Sequence, residues 1–324
     1  MEERFFVTGA TGCIGAWVVR NLVRENIPVC VSVRGASRHR MELVMTAEEI
    51  SRIEFRTGDI TDIDFLEKAI GDFGANRIIH LAAMQLPFCK ADPPRGALVN
   101  VLGTVNIFEA AKRSAVKQVV YSSSAAVYGT IDEYAKEPLT HDAPLRPRSH
   151  YGVYKQANEV NARVYWLDDG IASIGLRPYV VYGPGRDQGM TSTPTRAMLA
   201  AVRGLEYHIS YGGRFAFQYV DDVAHAFIAA ARVPFAGAEV FNIGGHSVSM
   251  EEVVKAIEKS CPEAKGTITF ENISLPFPED FENETLKSIL GGYEETSLQK
   301  GVDLTITLFE EALIDGRLDS ESPI

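Results

Sequence analysis

The chain has 324 residues, 46% hydrophobic and 23% charged, enough for one large domain or two modest ones around a buried core. Its formal net charge of −11 argues against non-specific binding to nucleic acid or to an anionic membrane. The longest apolar runs are too short to span a bilayer, no secretory-type segment precedes Phe5, and Cys13, Cys30, Cys89 and Cys261 have no metal-like spacing, so a reduced, cytoplasmic protein is expected.

Phe5 to Thr8 predicts a first strand, followed by a glycine turn and a helix from Ile14 to Glu25. Val29 to Val33 and Ile53 to Arg56 read as the next strands. Ile78 to Ala82 and Gln118 to Ser122 are apolar and β-branched enough to be central strands of a parallel sheet. Between those two, Gly96 to Ser114 has helical spacing. A further helix from Tyr151 to Leu167 leads into a sixth strand, Ile171 to Leu176. The repeated strand–helix order predicts an α/β fold with a doubly wound parallel sheet of Rossmann type. Beyond Pro178 the pattern loosens. Asp221 to Ala231 reads as a helix capped by Tyr219-Val-Asp-Asp222, and Val240 to Ile243 as a strand rejoining the sheet. The expected division is a dinucleotide-binding domain, residues 1–182 and 219–247, with a smaller interleaved substrate lobe, residues 183–218 and 248–324.

Two features carry chemistry. Gly9-x-x-Gly12-x-x-Gly15 lies directly between a strand and a helix, where glycines permit a tight turn and the helix N-terminus attracts a pyrophosphate. Tyr151 and Lys155 stand one helical turn apart, so an ammonium can favour the phenolate and make the tyrosine usable as an acid or base. Together they predict hydride transfer. An acidic residue about 20 positions beyond the loop ordinarily holds the adenosine ribose. Here the second strand ends Val33-Arg34-Gly35, with Arg38 and Arg40 following, so a 2′-phosphate is accommodated and NADP is favoured over NAD. The other reading is a solvated basic loop, with NAD bound through backbone groups. His80 reads as a core histidine, Tyr154 as packing, and His141, His150 and His208 as no metal site.

The glycine loop resembles that of the extended short-chain dehydrogenases, the family of NAD-dependent epimerases and dehydratases. The likeness runs through Gly58-Asp59-Ile60, His80-Leu-Ala-Ala83, Asn100 to Thr104, Ser122 to Gly129, Tyr151 to Lys155, Arg177-Pro178, Val181 to Pro184 and Tyr219 to Asp222. It implies that Gly9, Gly12, Cys13, Ile14, Gly15, Asp59, Ile60, Leu81, Ala82, Ala83, Ser122 and Pro178 bind the cofactor, Asp59 and Ile60 at the adenine. Asn100 would lie near the active-site helix, unless it is a helix-surface amide. Ser124 is the position that matches the family's substrate-binding hydroxyl, beside Tyr151 as proton carrier and Lys155 on the nicotinamide ribose. Dehydratases of the family carry an acidic pair after that hydroxyl residue. Ala125-Ala126 stands here, and neither methyl can transfer a proton, so water elimination is not expected.

The substrate lobe departs from the family. Nucleotide-sugar enzymes resemble one another in an arginine just before the Phe-x-Tyr-Val stretch, where this chain has Phe215 and the nearest guanidinium is Arg214. Thr191, Ser192 and Thr193 form a hydroxyl-rich segment suited to small polyols or carboxylates, or simply a loop and helix cap. The expected function is therefore a sugar or nucleotide-sugar epimerase acting through a transient ketone. The alternatives are a net dehydrogenase or reductase of a free sugar, sugar acid or other carbinol, and a non-catalytic cofactor sensor. Apolar residues on more than one face of the segments Gly96 to Ser114 and Tyr151 to Leu167 predict a homodimer, and the resemblance implies a four-helix interface there.

Overall fold

All four side chains of the apolar run Phe5–Thr8 are buried, as a strand covered on both faces requires. The computed structural model describes residues 2–135, 138–293 and 295–319. Its strands in chain order are β1 (Phe5–Thr8), β2 (Val29–Val33), β3 (Glu54–Thr57), β4 (Arg77–His80), β5 (Gln118–Ser122) and β6 (Ala172–Arg177). They are followed by β7 (Val180–Tyr182), β8 (Tyr207–Ile209), β9 (Arg214–Tyr219), β10 (Ala238–Asn242), β11 (His246–Ser249) and β12 (Ile268–Phe270). A seven-stranded sheet runs β10-β6-β5-β4-β1-β2-β3, with every neighbouring pair parallel. The doubly wound fold is thus present, and Ala238–Asn242 rejoins the sheet beside β6 as expected.

The chain leaves β1 toward β2 and β3, then crosses back to β4 on the other side. That reversal opens a crevice at the carboxyl ends of β1 and β4, where such sheets bind ligands. A smaller three-stranded sheet, β11-β9-β7, and a pair, β12-β8, build the rest. The smaller sheet takes β7 from the expected cofactor-domain ranges, while β9 and β11 each cross an expected boundary, and one apolar cluster runs through both parts. Residues 294 and 320–324 of that expected lobe lie outside the described residues.

Two local expectations are corrected. The segment Gly96 to Ser114 is not one regular helix: Pro93–Ala97 leads through a wide π-helical turn, Leu98–Leu102, into Gly103–Arg113. The widened turn frees the Asn100 carbonyl to accept from Thr104 Oγ1 at 2.8 Å and from Asn158 Nδ2 at 2.9 Å. The second concerns the helix Val220–Arg232, which no side chain caps. Asp221 instead accepts from Asn21 at 2.7 Å, and Asp222 from the Thr296 amide at 2.7 Å and hydroxyl at 2.8 Å. Those carboxylates fasten the helix to neighbouring elements rather than to its own first turn.

The helix Cys13–Arg24 starts against the glycine turn so closely that a Cβ on Gly15 would lie 2.1 Å from the Gly9 carbonyl oxygen. Alanine inside a helix ordinarily stabilises by about 1 kcal/mol over glycine. Here the obstruction is backbone, so Gly15→Ala is expected to destabilise, by about 1–3 kcal/mol. Urea denaturation checks the sign; a variant as stable as the parent would contradict the packing described.

Candidate active site

Strand ends β1, β2, β4 and β5 meet over a cleft of about 760 Å³. At its floor Gly12 is the N-cap of Cys13–Arg24, with no capping side chain and no acidic residue in the first turn. Cys13, Ile14 and Gly15 line the cleft, so the positive end of this helix is open to an anion. Gly9 adopts φ +71°, and a Cβ there would strike the Ala82 amide nitrogen at 2.6 Å. A cradle that any side chain would fill fits the pyrophosphate of a dinucleotide.

Toward one end lie Arg34, Asp59, Ile60 and Arg95. The Asp59 carboxylate accepts from the Thr61 amide at 3.0 Å, the Thr61 hydroxyl at 2.9 Å and Arg95 at 3.3 Å. Burial works to raise its pKa, but those donors and the Arg34 charge hold it below the usual carboxylate range. The three basic residues of the loop differ in employment. Arg38 lies over the Phe55 ring at 3.6 Å, and Arg40 forks onto Asp187 at 2.6 Å. Arg34 is exposed, lines the cleft, and has no ion pair within 4.0 Å among the described residues.

At the other end Ser122, Ser124, Tyr151 and Lys155 converge. Ser149 caps the helix His150–Asp169 by accepting from the Gly152 amide at 3.1 Å, which sets Tyr151 in its first turn. The Lys155 ammonium donates to the Ser122 carbonyl at 2.5 Å and stands 5.7 Å from the centre of the Tyr151 ring. Burial pushes the Lys155 pKa down to about 8, against the opposing pull of Cys89 and Glu159. The Tyr151 phenol is raised by burial, while a hydrogen bond from Ser124 and the Arg186 charge draw it back toward ionisation.

Behind these groups lies a buried ion pair. Arg177, at the end of β6, donates to both oxygens of Glu159 at 2.8 Å, and both side chains are under 10% exposed (4% and 6%). Ser123 donates to the same carboxylate at 2.5 Å, and Arg177 also donates to Tyr128 Oη and the His141 carbonyl, each at 2.6 Å. Burial disfavours the guanidinium charge, yet Glu159 and Tyr128 hold its pKa above the ordinary arginine value.

Of the residues expected in the site, Gly9, Gly12, Cys13, Ile14, Gly15, Arg34, Asp59, Ile60, Leu81, Ala82, Ala83, Ser122, Ser124, Tyr151, Lys155, Pro178 and Thr191 line the one cleft. Four do not. Asn100 is buried against the active-site helix, but its amide is spent accepting from the Met84 amide at 2.7 Å and donating to the Met84 carbonyl at 3.0 Å. It is a clamp on the backbone beyond Ala83, neither a helix-surface amide nor part of the cofactor wall. Ser192 is buried and donates back to the Gly189 carbonyl at 2.8 Å, and Thr193 reaches toward Ser210 at 3.5 Å. Arg214 opens β9, where alternation turns it outward to Glu252 at 3.2 Å and the Ser247 carbonyl at 2.7 Å, while Phe215 faces fully inward. His80 is a core histidine between Thr8 at 2.7 Å and Thr104 at 3.1 Å, its pKa lowered to about 3 by burial and then by Lys155. Arg186, Gln188, Gln85, Arg95 and Phe277 also line the cleft without having been expected. Glu159 was accessible from sequence, since it sits one turn beyond Lys155 on the same helical face.

The buried Lys155 makes a stability prediction with a definite sign. Its folded pKa, about 8, lies below the ordinary lysine value of 10.5, so its contribution is complete only above 10.5 and is lost as pH falls toward 8. At pH 7 the charge therefore costs stability. Lys155→Met should unfold at higher urea than the parent at pH 7, by about 1–3 kcal/mol, with the gap closing as pH rises through 8. A less stable variant at pH 7 would contradict this.

Known proteins share this arrangement. Residues 5–244 match the profile of the NAD dependent epimerase/dehydratase family. A UDP-glucose 4-epimerase from Mycolicibacterium smegmatis is 31% identical over 317 residues, covering 94% of this chain and 98% of the relative. The crystal structure of the Thermus thermophilus UDP-glucose 4-epimerase in complex with NAD superposes with a TM-score of 0.80 at 26% identity, over 96% of this chain and all (100%) of that one. The L-threonine dehydrogenase of Clostridium difficile, at 21% identity and a TM-score of 0.83 over 96% of this chain and 98% of its own, shares the fold. No helix among the described residues is long and apolar enough to cross a membrane. With the glycine loop, the serine-bearing strand end and the tyrosine–lysine helix joined in one cleft, the chain belongs to the NAD dependent epimerase/dehydratase family of extended short-chain dehydrogenase enzymes.

Proposed function

We propose that this protein epimerises a sugar or nucleotide sugar through a transient ketone. The observation that carries the reading is the meeting of Ser124, Tyr151 and Lys155 with the glycine loop in one cleft. Similarity to two UDP-glucose 4-epimerases along nearly the whole chain supports it. A bound nicotinamide dinucleotide would supply a reversible hydride acceptor. Tyr151 takes the proton from the substrate hydroxyl and later returns it; Ser124 holds the same oxygen. Lys155 supplies positive charge that favours the phenolate. The cleft's Ala125 and Ala126 offer no acid or base, so elimination of water has no proton carrier there. Residues 183–218 and 248–319 act as the substrate side, contributing Arg186, Thr191 and Phe277 to the wall.

Incubation with UDP-sugars, followed by NMR of the sugar, tests the reading. The wild-type protein interconverts epimers without net NAD(P)H, and Tyr151→Phe loses about 100- to 10,000-fold in rate while keeping its dinucleotide affinity. Wild-type turnover in Tyr151→Phe would remove the assignment. Stoichiometric NAD(P)H formation would replace the epimerase by the dehydrogenase alternative.

For the cofactor, the preference we propose is NADP, with Arg34 on the 2′-phosphate; support comes from its exposure at the cleft while Arg38 and Arg40 are engaged elsewhere. One charge-assisted hydrogen bond is worth about 10- to 150-fold in affinity. Calorimetry should show NADP bound tighter by that order and Arg34→Ala losing most of the difference. Equal affinities, or tighter NAD, would make the loop merely solvated.

The assembly we propose is a homodimer through the helix His150–Asp169 and the segment Gly96 to Ser114. Val153, Val160, Val164 and Leu167 are 47%, 58%, 46% and 67% exposed on it, and Leu98 and Leu102 are exposed nearby in sequence to Gly103–Arg113. All four cysteines are free, in keeping with a reducing, cytoplasmic setting. Light scattering at micromolar concentration should give twice the chain mass; a monomer would contradict it.

A further inference from the structure

We infer that Arg40 and Asp187 form a clasp between two walls of the cleft, and that the clasp must open for a dinucleotide to enter or leave. The inference takes the glycine-loop cleft as the dinucleotide site. It goes beyond the epimerase reading, since it holds equally for a dehydrogenase.

The two residues come from separate parts of the fold. Arg40 lies in the short helix His39–Val44, which follows β2, and Asp187 in the loop that follows β7. Arg40 Nε donates to both Asp187 carboxylate oxygens, at 3.0 and 2.9 Å, and Nη2 donates to one of them at 2.6 Å. Its Nη1 donates to the Thr11 carbonyl, within the glycine loop, at 3.1 Å. His39 Nε2 stands 3.0 Å from the same carboxylate. One guanidinium thereby joins the glycine loop, the helix after β2 and the loop after β7. Arg40 lines the cleft with Thr11, Gly12 and Cys13, and so do Arg186 and Gln188 on either side of Asp187. The bridge therefore stands beside the pyrophosphate cradle and links it to the substrate side.

The loop after β7 has a fixed root and a tip held by this bridge. At the root, the buried Trp17 indole donates to the Pro184 carbonyl at 2.9 Å, and the Gly183 amide donates to Thr195 Oγ1 at 3.1 Å. Gly185 lies so near the glycine loop that a Cβ there would stand 3.8 Å from the Cys13 Cα. Gly185 and Gly189 take φ +93° and +94° and bracket the tip, so glycine freedom is placed where a hinge needs it. Within the tip, Arg186 bonds back to the Gly183 carbonyl at 3.0 Å and to Thr191 Oγ1 at 2.9 Å. Among the described residues, only Asp187 ties the tip to the cofactor side by hydrogen bonds or ion pairs. The Arg40 side chain is 13% exposed and that of Asp187 41%, so the forked pair is partly shielded and holds better than a loose surface pair.

The test measures both rates of dinucleotide exchange in the full-length protein, by stopped-flow fluorescence of NADH and of NADPH, with excess NAD or NADP as displacing ligand. Asp187→Asn removes the charge and keeps the size of the side chain. Opening precedes both entry and exit, so association and dissociation should accelerate together, each about 10-fold, with the dissociation constant held within about 3-fold. Without a gate, loss of a negative charge would instead slow dissociation of an anionic ligand. Asp187→Ser should give the same paired acceleration, and melting temperatures report that each variant is folded. Unchanged or slower dissociation, or faster dissociation with unchanged association, would overturn the inference. So would failure of the wild-type protein to bind either dinucleotide.

Discussion

The buried pair between Glu159 and Arg177 is the constraint on which the site depends. Glu159 lies on the helix that carries Tyr151 and Lys155, and Arg177 lies at the end of β6. Ser123, next to Ser124, donates to the same carboxylate, and Arg177 reaches on to Tyr128 and the His141 carbonyl. Tyr128 in turn donates to Asn242 in β10 at 2.7 Å, and Asn242 donates to the Leu139 carbonyl at 3.0 Å. A single ionic cluster thereby sets the helix, two strand ends and the loop between them in one register. Two charges taken out of water repay their desolvation only if every lone pair and proton is used. Here four of the five guanidinium N–H groups have acceptors and the carboxylate takes three donors, so sliding the helix along the sheet would strand a charge.

The same accounting explains why the catalytic end is held so firmly. Burial weakens the Lys155 charge and opposes ionisation of Tyr151, so the cleft disfavours both forms the chemistry needs. Such strain persists only where the surroundings over-determine the geometry. Cys89 and then Glu159, one turn beyond Lys155, partly restore the ammonium, which also donates a hydrogen bond to the Ser122 carbonyl. Arg186 and Ser124 do the corresponding work for the phenol. The pair that anchors the helix thus also contributes to the electrostatics of the lysine.

The sheet was legible because its strands are apolar on both faces and alternate with helices; β1, β2 and β5 have the expected limits, and β3, β4 and β6 differ by a residue or two. The glycine loop, Ser124, Tyr151 and Lys155 were legible because their chemistry depends on local spacing. What failed depended on partners distant in sequence. The widened turn at Leu98–Leu102 follows from an asparagine that finds Met84, and the helix start at Val220 from carboxylates that find Asn21 and Thr296. Arg214 was considered a substrate group as the guanidinium nearest the family's arginine position, although a displacement of one residue on a strand turns a side chain to the opposite face, and there the structure has it. Arg186 was not singled out from the sequence, and only the fold shows Arg40 pairing with the neighbouring Asp187.

If the Glu159–Arg177 pair acts by placing the catalytic groups rather than by adding stability, the two properties should separate. Glu159→Leu alone leaves Arg177 buried and unpaired, a loss of about 3–5 kcal/mol. Replacing both, Glu159→Leu with Arg177→Met, removes the stranded charge, and buried pairs replaced by apolar residues are often as stable as the original. The decisive measurement is epimerase turnover in that double variant beside its urea-unfolding free energy. The account predicts that most of the stability lost in Glu159→Leu returns while turnover stays at least about 10-fold below wild type, the scale of one lost catalytic contact. A double variant that regains stability and turns over at the wild-type rate would contradict it.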